Sequence, residues 1–240
     1  MESSKVYKVE NAIIVAAGVG RRLSPLTDTT PKPLIKVQGK PMIESIIDAL
    51  IQNDITDIVV VVGHLREQFD YLPRHYPDAH ITLLFNPYYR TCNNISSLYV
   101  AREYLGNTII TDGDIIIHNP KILHPHFEAS GYCSSWADET DEWLQVLDEH
   151  GYVKSCSRTG GRHGWQLYSI SFWNQEDSGK LRFHLEELFE KKKVTDIYWD
   201  DIPMFYCKEE FRLKIREINS SDLVEIDNLQ ELYELEPTTA

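Results

Sequence analysis

Directly after a short apolar run the sequence reads Ala16-Ala17-Gly18-Val19-Gly20-Arg21-Arg22-Leu23. Glycines there let the backbone turn sharply and bring N–H groups close to a ligand, while Arg21 and Arg22 put positive charge beside the turn. The composition suits a phosphate cradle. It is not a Walker A loop, because Gly-Lys-Ser/Thr is missing, and Leu23 stands where a dinucleotide fingerprint needs its third glycine. Alone, such a Gly-x-Gly more often marks a plain strand–helix turn. Further on, Pro31-Lys32-Pro33-Leu34 sets a lysine between two prolines. That predicts an extended, low-entropy segment presenting a point charge to phosphate. In isolation it would read as a rigid surface loop; paired with the glycine turn, the phosphate reading gains.

Three acidic or aromatic groups join this set. Asp112-Gly113-Asp114 closes an apolar run, and in open α/β sheets ligands bind at the carboxyl ends of strands. A carboxylate there can hold Mg2+, although Asp-Gly also favours an ordinary turn. An EF-hand is excluded, since Ile117 occupies the position of its glycine. Glu225-Ile226-Asp227 puts two carboxylates on one face of an extended segment, so Asp227 is either a second metal ligand or a helix cap before Leu229. Trp143 beside Glu142, and Tyr198-Trp199-Asp200-Asp201, combine aromatic faces with acids, which suits a quaternary ammonium; a core position is the commoner fate of an isolated Trp. The spacing of His118, His124 and His126 suits no helix face and Pro125 disrupts the segment, so they read as surface or loop histidines. No Gly-x-Ser-x-Gly elbow exists, which removes support for a serine hydrolase.

The elements that must position these residues alternate in the first half. Residues 11–17, 57–62, 80–85 and 108–111 are short apolar or β-branched runs, which predict buried strands. Between them, residues 41–53 carry Ile43, Ile46, Ile47, Leu50 and Ile51 at helical spacing behind Pro41, and 65–75 and 95–105 also predict helices. The alternation implies an α/β, Rossmann-like and mostly parallel sheet with helices on both faces. In the second half, 143–147, 152–157 and 165–173 predict antiparallel strands between glycine-rich turns, and 180–193 a helix ending in Lys191-Lys192-Lys193. We expect a single domain over 11–240, with a nucleotide-binding half to about 120 and a smaller, mixed antiparallel acceptor-binding half after it. Residues 1–10 read as an extension.

With 240 residues and 42% hydrophobic content, the chain can bury a core. Its net charge of −13 argues against nucleic acid as a partner. No run of 18 apolar residues spans a membrane, and no apolar signal core precedes Asn11, so a cytoplasmic location is the expectation. The four cysteines form no Cys-x-x-Cys pair and no zinc ribbon. Oligomeric state is not legible.

The run from Ala12 to Leu34 resembles the nucleotidyltransferases that activate sugar phosphates and related phosphate monoesters. The likeness continues through Gly39-Lys40-Pro41-Met42, Val61-Val62-Gly63, Asn93-Asn94 and Asp114. Glu142-Trp143, Ser171-Phe172-Trp173, Tyr198-Trp199-Asp200 and Glu225-Ile226-Asp227 resemble bacterial CTP:phosphocholine cytidylyltransferases of the LicC type. The resemblance implies transfer of CMP from CTP to phosphocholine, with Mg2+ as cofactor. It implies that Ala16, Ala17, Gly18, Gly20, Arg22 and Asn94 meet the nucleotide and that Lys32 and Arg22 act on its phosphates. It further implies that Asp114 and Asp227 hold the ion and that Trp143, Tyr198, Asp200 and Glu225 surround the acceptor's head group. Departures are Asp112-Gly113-Asp114, where the choline enzymes carry Asp-Ala-Asp, and the Gly160-Gly161-Arg162-His163-Gly164 loop. Alternatives are transfer to 2-aminoethylphosphonate or a sugar 1-phosphate, and a non-catalytic nucleotide-binding module.

Overall fold

The computed structural model describes residues 5–235; residues 1–4 of the expected extension lie outside them. Four strands, β1 (Asn11–Ala16), β2 (Asp57–Val62), β3 (His80–Phe85) and β4 (Thr108–Asp112), lie parallel in the order β4-β1-β2-β3. Period-two alternation sends their side chains to two cores. Ile14, Val60 and Ile109 face one side with Ile43, Ile46, Ile47 and Leu50 of helix α1 (Met42–Ile51). Ile13, Val15, Val59 and Val61 face the other, against Leu98 of α2 (Ile95–Ala101) and Leu181 and Leu185 of α3 (Gln175–Leu185). Strands buried on both faces explain the unbroken apolar runs.

The antiparallel strands do not form a separate layer. They extend the same sheet: β5 (Gly131–Thr140), β6 (Leu144–Leu147), β7 (Val153–Ser157) and the long β8 (Gly161–Trp173), while β9 (Lys214–Glu217) joins β5 in parallel. Strand β8 pairs antiparallel with β5 along one edge and with β6 and then β4 along the other. Residues Ile170–Trp173 thereby bolt the second half onto the strand that ends in Asp112. A short ladder, Ile115–Ile117 against Leu223–Glu225, brings the distant carboxylates home: Ile115 pairs with Glu225. Tyr7–Lys8 pair with His126–Phe127.

Four local expectations are corrected. The 65–75 helix breaks into a tight turn at Arg66–Phe69 and a short helix at Leu72–His75, because Leu65 adopts a left-handed conformation and Pro73 supplies no N–H. The 95–105 helix stops at Ala101 and tightens into a 3-10 turn over Arg102–Tyr104. The 180–193 helix starts earlier, at Gln175, where the Asn174 side chain accepts the Asp177 N–H, and widens after Leu185 into a π turn over Glu186–Lys191. Lys32 is not extended: Pro31 is, but Lys32–Leu34 close a 3-10 turn with the Leu34 N–H on the Pro31 carbonyl. No helix among the described residues is long and apolar enough to cross a membrane.

Candidate active site

A cleft of about 650 Å³ opens at the carboxyl ends of β1 and β4. Ala16, Ala17, Gly18, Gly20, Arg22, Lys32, Asn94, Asp114 and Tyr198 line it, with Asp112. The glycine turn holds its course at Gly20, whose φ of 68° is left-handed and whose absent Cβ would stand 2.9 Å from Thr27 Cγ2. Thr27 Oγ1 donates to the Gly20 carbonyl at 2.9 Å and fixes the far side of the turn.

Lys32 is buried at the cleft's inner end. Its Nζ donates to Asp114 Oδ2 at 2.5 Å and to Asp227 Oδ1 at 3.2 Å, and Arg22 Nη2 reaches the same Asp227 oxygen at 2.6 Å. Burial works against the Lys32 ammonium, but the Asp114 and Asp227 carboxylates outweigh it and hold its pKa above the usual value. Asp227 does not cap the following helix. Asn228 does so, accepting the Gln230 and Glu231 N–H groups, which leaves the Asp227 carboxylate to the two cations.

Carboxylates outnumber cations here. Burial, then the charge of Asp114, pushes Glu225 up to about 8, and burial with Asp114, Asp200 and Glu225 holds Asp112 well above the carboxylate range. One oxygen each from Asp114, Glu225 and Asp227 lie within 4.8 Å of one another, and Asp114 Oδ1 is buried with no hydrogen-bond partner. An all-oxygen set with an orphaned, buried acceptor fits a hard divalent cation.

The acceptor-side residues form a wall beside this well. Trp143 meets Tyr198 edge-to-face, centroids 6.0 Å apart, and Phe205 at 5.5 Å. Asp200 is partly buried, accepts the Tyr132 hydroxyl at 2.8 Å, and is pushed up to about 7 by burial. Glu142, next to Trp143, feels both Asp227 and Arg22, which ties wall to well. Asn94 lines the cleft, but its side-chain oxygen accepts the Trp199 N–H at 2.9 Å, so it also anchors the wall. Trp199 itself is buried as core, stacked on Tyr132 and edge-to-face with Trp173.

Sequence reasoning missed the Arg158–Asp201 pair. Arg158 stands on the turn before Gly160, donates to Asp201 Oδ1 through Nε at 2.8 Å and Nη2 at 2.5 Å, and covers the Phe205 ring at 3.8 Å. Asp201 Oδ2 accepts the Tyr198 N–H at 2.9 Å. The glycine-rich loop thus braces the wall: Gly160 is left-handed, and a Cβ there would lie 1.9 Å from the Thr140 carbonyl oxygen. Only the Asp-Asp doublet and the Arg before a Thr-Gly-Gly turn hinted at it.

The profile of the nucleotidyl transferase family matches residues 11–131. A 2-aminoethylphosphonate cytidylyltransferase of Lancefieldella rimae is 36% identical over 225 residues, covering 92% of this chain and 90% of the relative. A choline-phosphate cytidylyltransferase of Streptococcus pneumoniae is 34% identical, covering 94% and 96%. The chain belongs to the nucleotidyl transferase family. Within it, these end-to-end relatives place it among the cytidylyltransferases. The solved CTP:phosphocholine cytidylyltransferase from Streptococcus pneumoniae (LicC) superposes with a TM-score of 0.85 at 33% identity, over 96% of this chain and 98% of that one. The nucleotidyltransferase fold is therefore shared from end to end, antiparallel extension included.

Proposed function

We propose that this cytidylyltransferase transfers CMP from CTP to phosphocholine, releasing pyrophosphate. The observation that carries the reading is that one cleft holds a glycine turn, the Lys32 and Arg22 cations and Tyr198, which forms an aromatic corner with Trp143 beside it. The acceptor's phosphate is itself the nucleophile. Its second pKa is about 6, so it is ionised at neutral pH and needs no histidine base and no covalent intermediate. The acceptor oxygen forms a bond to the α-phosphorus of CTP as the bond from that phosphorus to the bridging oxygen breaks, and the electron pair leaves with pyrophosphate.

The chain's own work is positioning and charge. Gly18 and Gly20 let backbone N–H groups approach the phosphates, and Arg22 and Lys32 exchange carboxylate oxygens for phosphate oxygens as substrate enters. Asp114 and Asp227, with Glu225 alongside, would hold Mg2+, which when bound supplies charge neutralisation at the phosphates. Trp143 and Tyr198 offer ring faces to a trimethylammonium group, and Asp200 offers the counter-charge.

A second reading, transfer to 2-aminoethylphosphonate, is favoured by the Lancefieldella relative and by Asp200 itself. A partly buried carboxylate hydrogen-bonds a primary ammonium, which a quaternary head group cannot match. Pyrophosphate release measured for four nucleoside triphosphates against phosphocholine, 2-aminoethylphosphonate and a sugar 1-phosphate separates the readings. The proposal expects CTP with phosphocholine to give the highest kcat/KM; preference for another pair refutes it.

A further inference from the structure

Outside the cleft, three side chains from two stretches of the chain converge. His184 stands near the end of α3, Cys207 closes the turn Ile202–Tyr206 with its N–H on the Ile202 carbonyl, and Glu210 ends the turn that follows. Cys207 Sγ lies 3.3 Å from His184 Nδ1, and Glu210 Oε2 lies 2.9 Å from His184 Nε2. None of the three lines the cleft.

The protonation pattern follows from the partners. With Nε2–H donating to Glu210 Oε2, the Nδ1 lone pair faces the thiol. The Cys207 sulfur stands within hydrogen-bond distance of Nδ1. The same geometry suits a metal. Bonds of about 2.3 Å to sulfur and about 2.05 Å to nitrogen at a tetrahedral angle set the two ligand atoms roughly 3.5 Å apart. The observed 3.3 Å lies within a few tenths of an ångström of that bite. A carboxylate on the far nitrogen is the arrangement that orients a metal-bound imidazole and raises its basicity. The ring is also fixed by packing, His184 being 8% exposed and set against Phe211.

We propose that Cys207 and His184 form a chelate for a borderline-soft divalent ion of the Zn2+ class, with Glu210 holding the imidazole and water completing the coordination. On binding, a sulfur–metal bond forms and the thiol proton leaves to solvent. Donor chemistry separates this site from the all-oxygen set at Asp114, Glu225 and Asp227. Occupancy would join α3 to the segment that continues from Asp200 and Asp201.

The test is titration of the full chain with Co2+, read by sulfur-to-cobalt charge-transfer absorption, alongside Zn2+ binding measured against a chromophoric chelator. The wild type and Asp114→Asn should both show the band. Cys207→Ser should lose it, and Glu210→Gln should weaken Zn2+ binding about 10-fold. Circular dichroism checks that each variant folds. A readout on the unmutated chain stands beside these: Zn2+ should slow alkylation of Cys207 by iodoacetamide, mapped by mass spectrometry, and leave Cys92 unchanged. No charge-transfer band in the wild type, equal Zn2+ affinity in Cys207→Ser, or no protection of Cys207 would overturn the proposal.

Discussion

Lys32→Ala removes a buried cation that faces both Asp114 and Asp227. Two roles for Lys32 make different forecasts. If it stabilises phosphate charge in the transition state, losing that contact costs on the order of 3 kcal/mol, or ~100-fold in kcat. If it only neutralises the carboxylates, a divalent ion at the same oxygens replaces it. The structure sharpens the contrast, because Nζ sits at 2.5 Å and 3.2 Å from those oxygens while Arg22 holds Asp227 from the other side. Loss of the ammonium therefore leaves Asp227 partly compensated and Asp114 bare. The account predicts that kcat falls ~100-fold in a coupled pyrophosphate-release assay and stays down as Mg2+ is raised to saturation. Circular dichroism should show an intact fold. A kcat within about threefold of wild type, or full recovery in high Mg2+, refutes the reasoning.

Other perturbations reach the acceptor wall. Trp143→Ala should raise the acceptor KM by roughly 5- to 30-fold, equivalent to about 1–2 kcal/mol of cation–π contact, with the CTP KM unchanged; equal effects on both substrates would contradict the assignment. Arg158→Ala strips the buried Asp201 of its partner and loosens the Tyr198 N–H anchor. Acceptor KM should rise while the CTP KM holds, and added guanidinium or Arg158→Lys should restore part of it; a uniform loss of kcat with neither rescue would make Arg158 merely structural. Asp200 supplies a pH test. Its pKa rises from 3.8 to about 7 on folding, so the folded chain holds this proton more tightly than the unfolded one. That contribution to stability is present at low pH and is lost as pH rises from about 4 to 7. Asp200→Asn removes the loss, so its Tm should exceed the wild-type value by more at pH 8 than at pH 5; a pH-independent difference contradicts it.

Strands β1, β2 and β4 were readable because they are buried on both faces, so Ile13, Ile14 and Val59–Val62 form runs that helices cannot mimic at that length. The Lys32–Asp114–Asp227 meeting was legible in kind, since each residue follows a strand or turn signal. Its cause was not: the Ile115–Glu225 pairing joins residues 110 apart in sequence, and no local pattern encodes a long-range register. Strand β5 escaped notice because it buries Ser134 and Ser135 instead of an apolar stripe, and they are satisfied by Gln145 and Tyr168 across the sheet. Lys32 was misjudged as extended because two prolines suggest it, whereas a turn that buries the ammonium against two carboxylates wins. The pairing of Arg158 with Asp201 was not legible for the same reason as the register, the partners being 43 residues apart.

The central claim is that Asp114 and Asp227 share one divalent ion beside a triphosphate. Electron paramagnetic resonance of Mn2+ bound in the presence of CTP reads this directly. The wild type should immobilise one Mn2+ per chain, and either Asp114→Asn or Asp227→Asn should weaken that binding by ~10-fold or more. Unchanged Mn2+ affinity in both variants would show that the ion, if held at all, is held elsewhere.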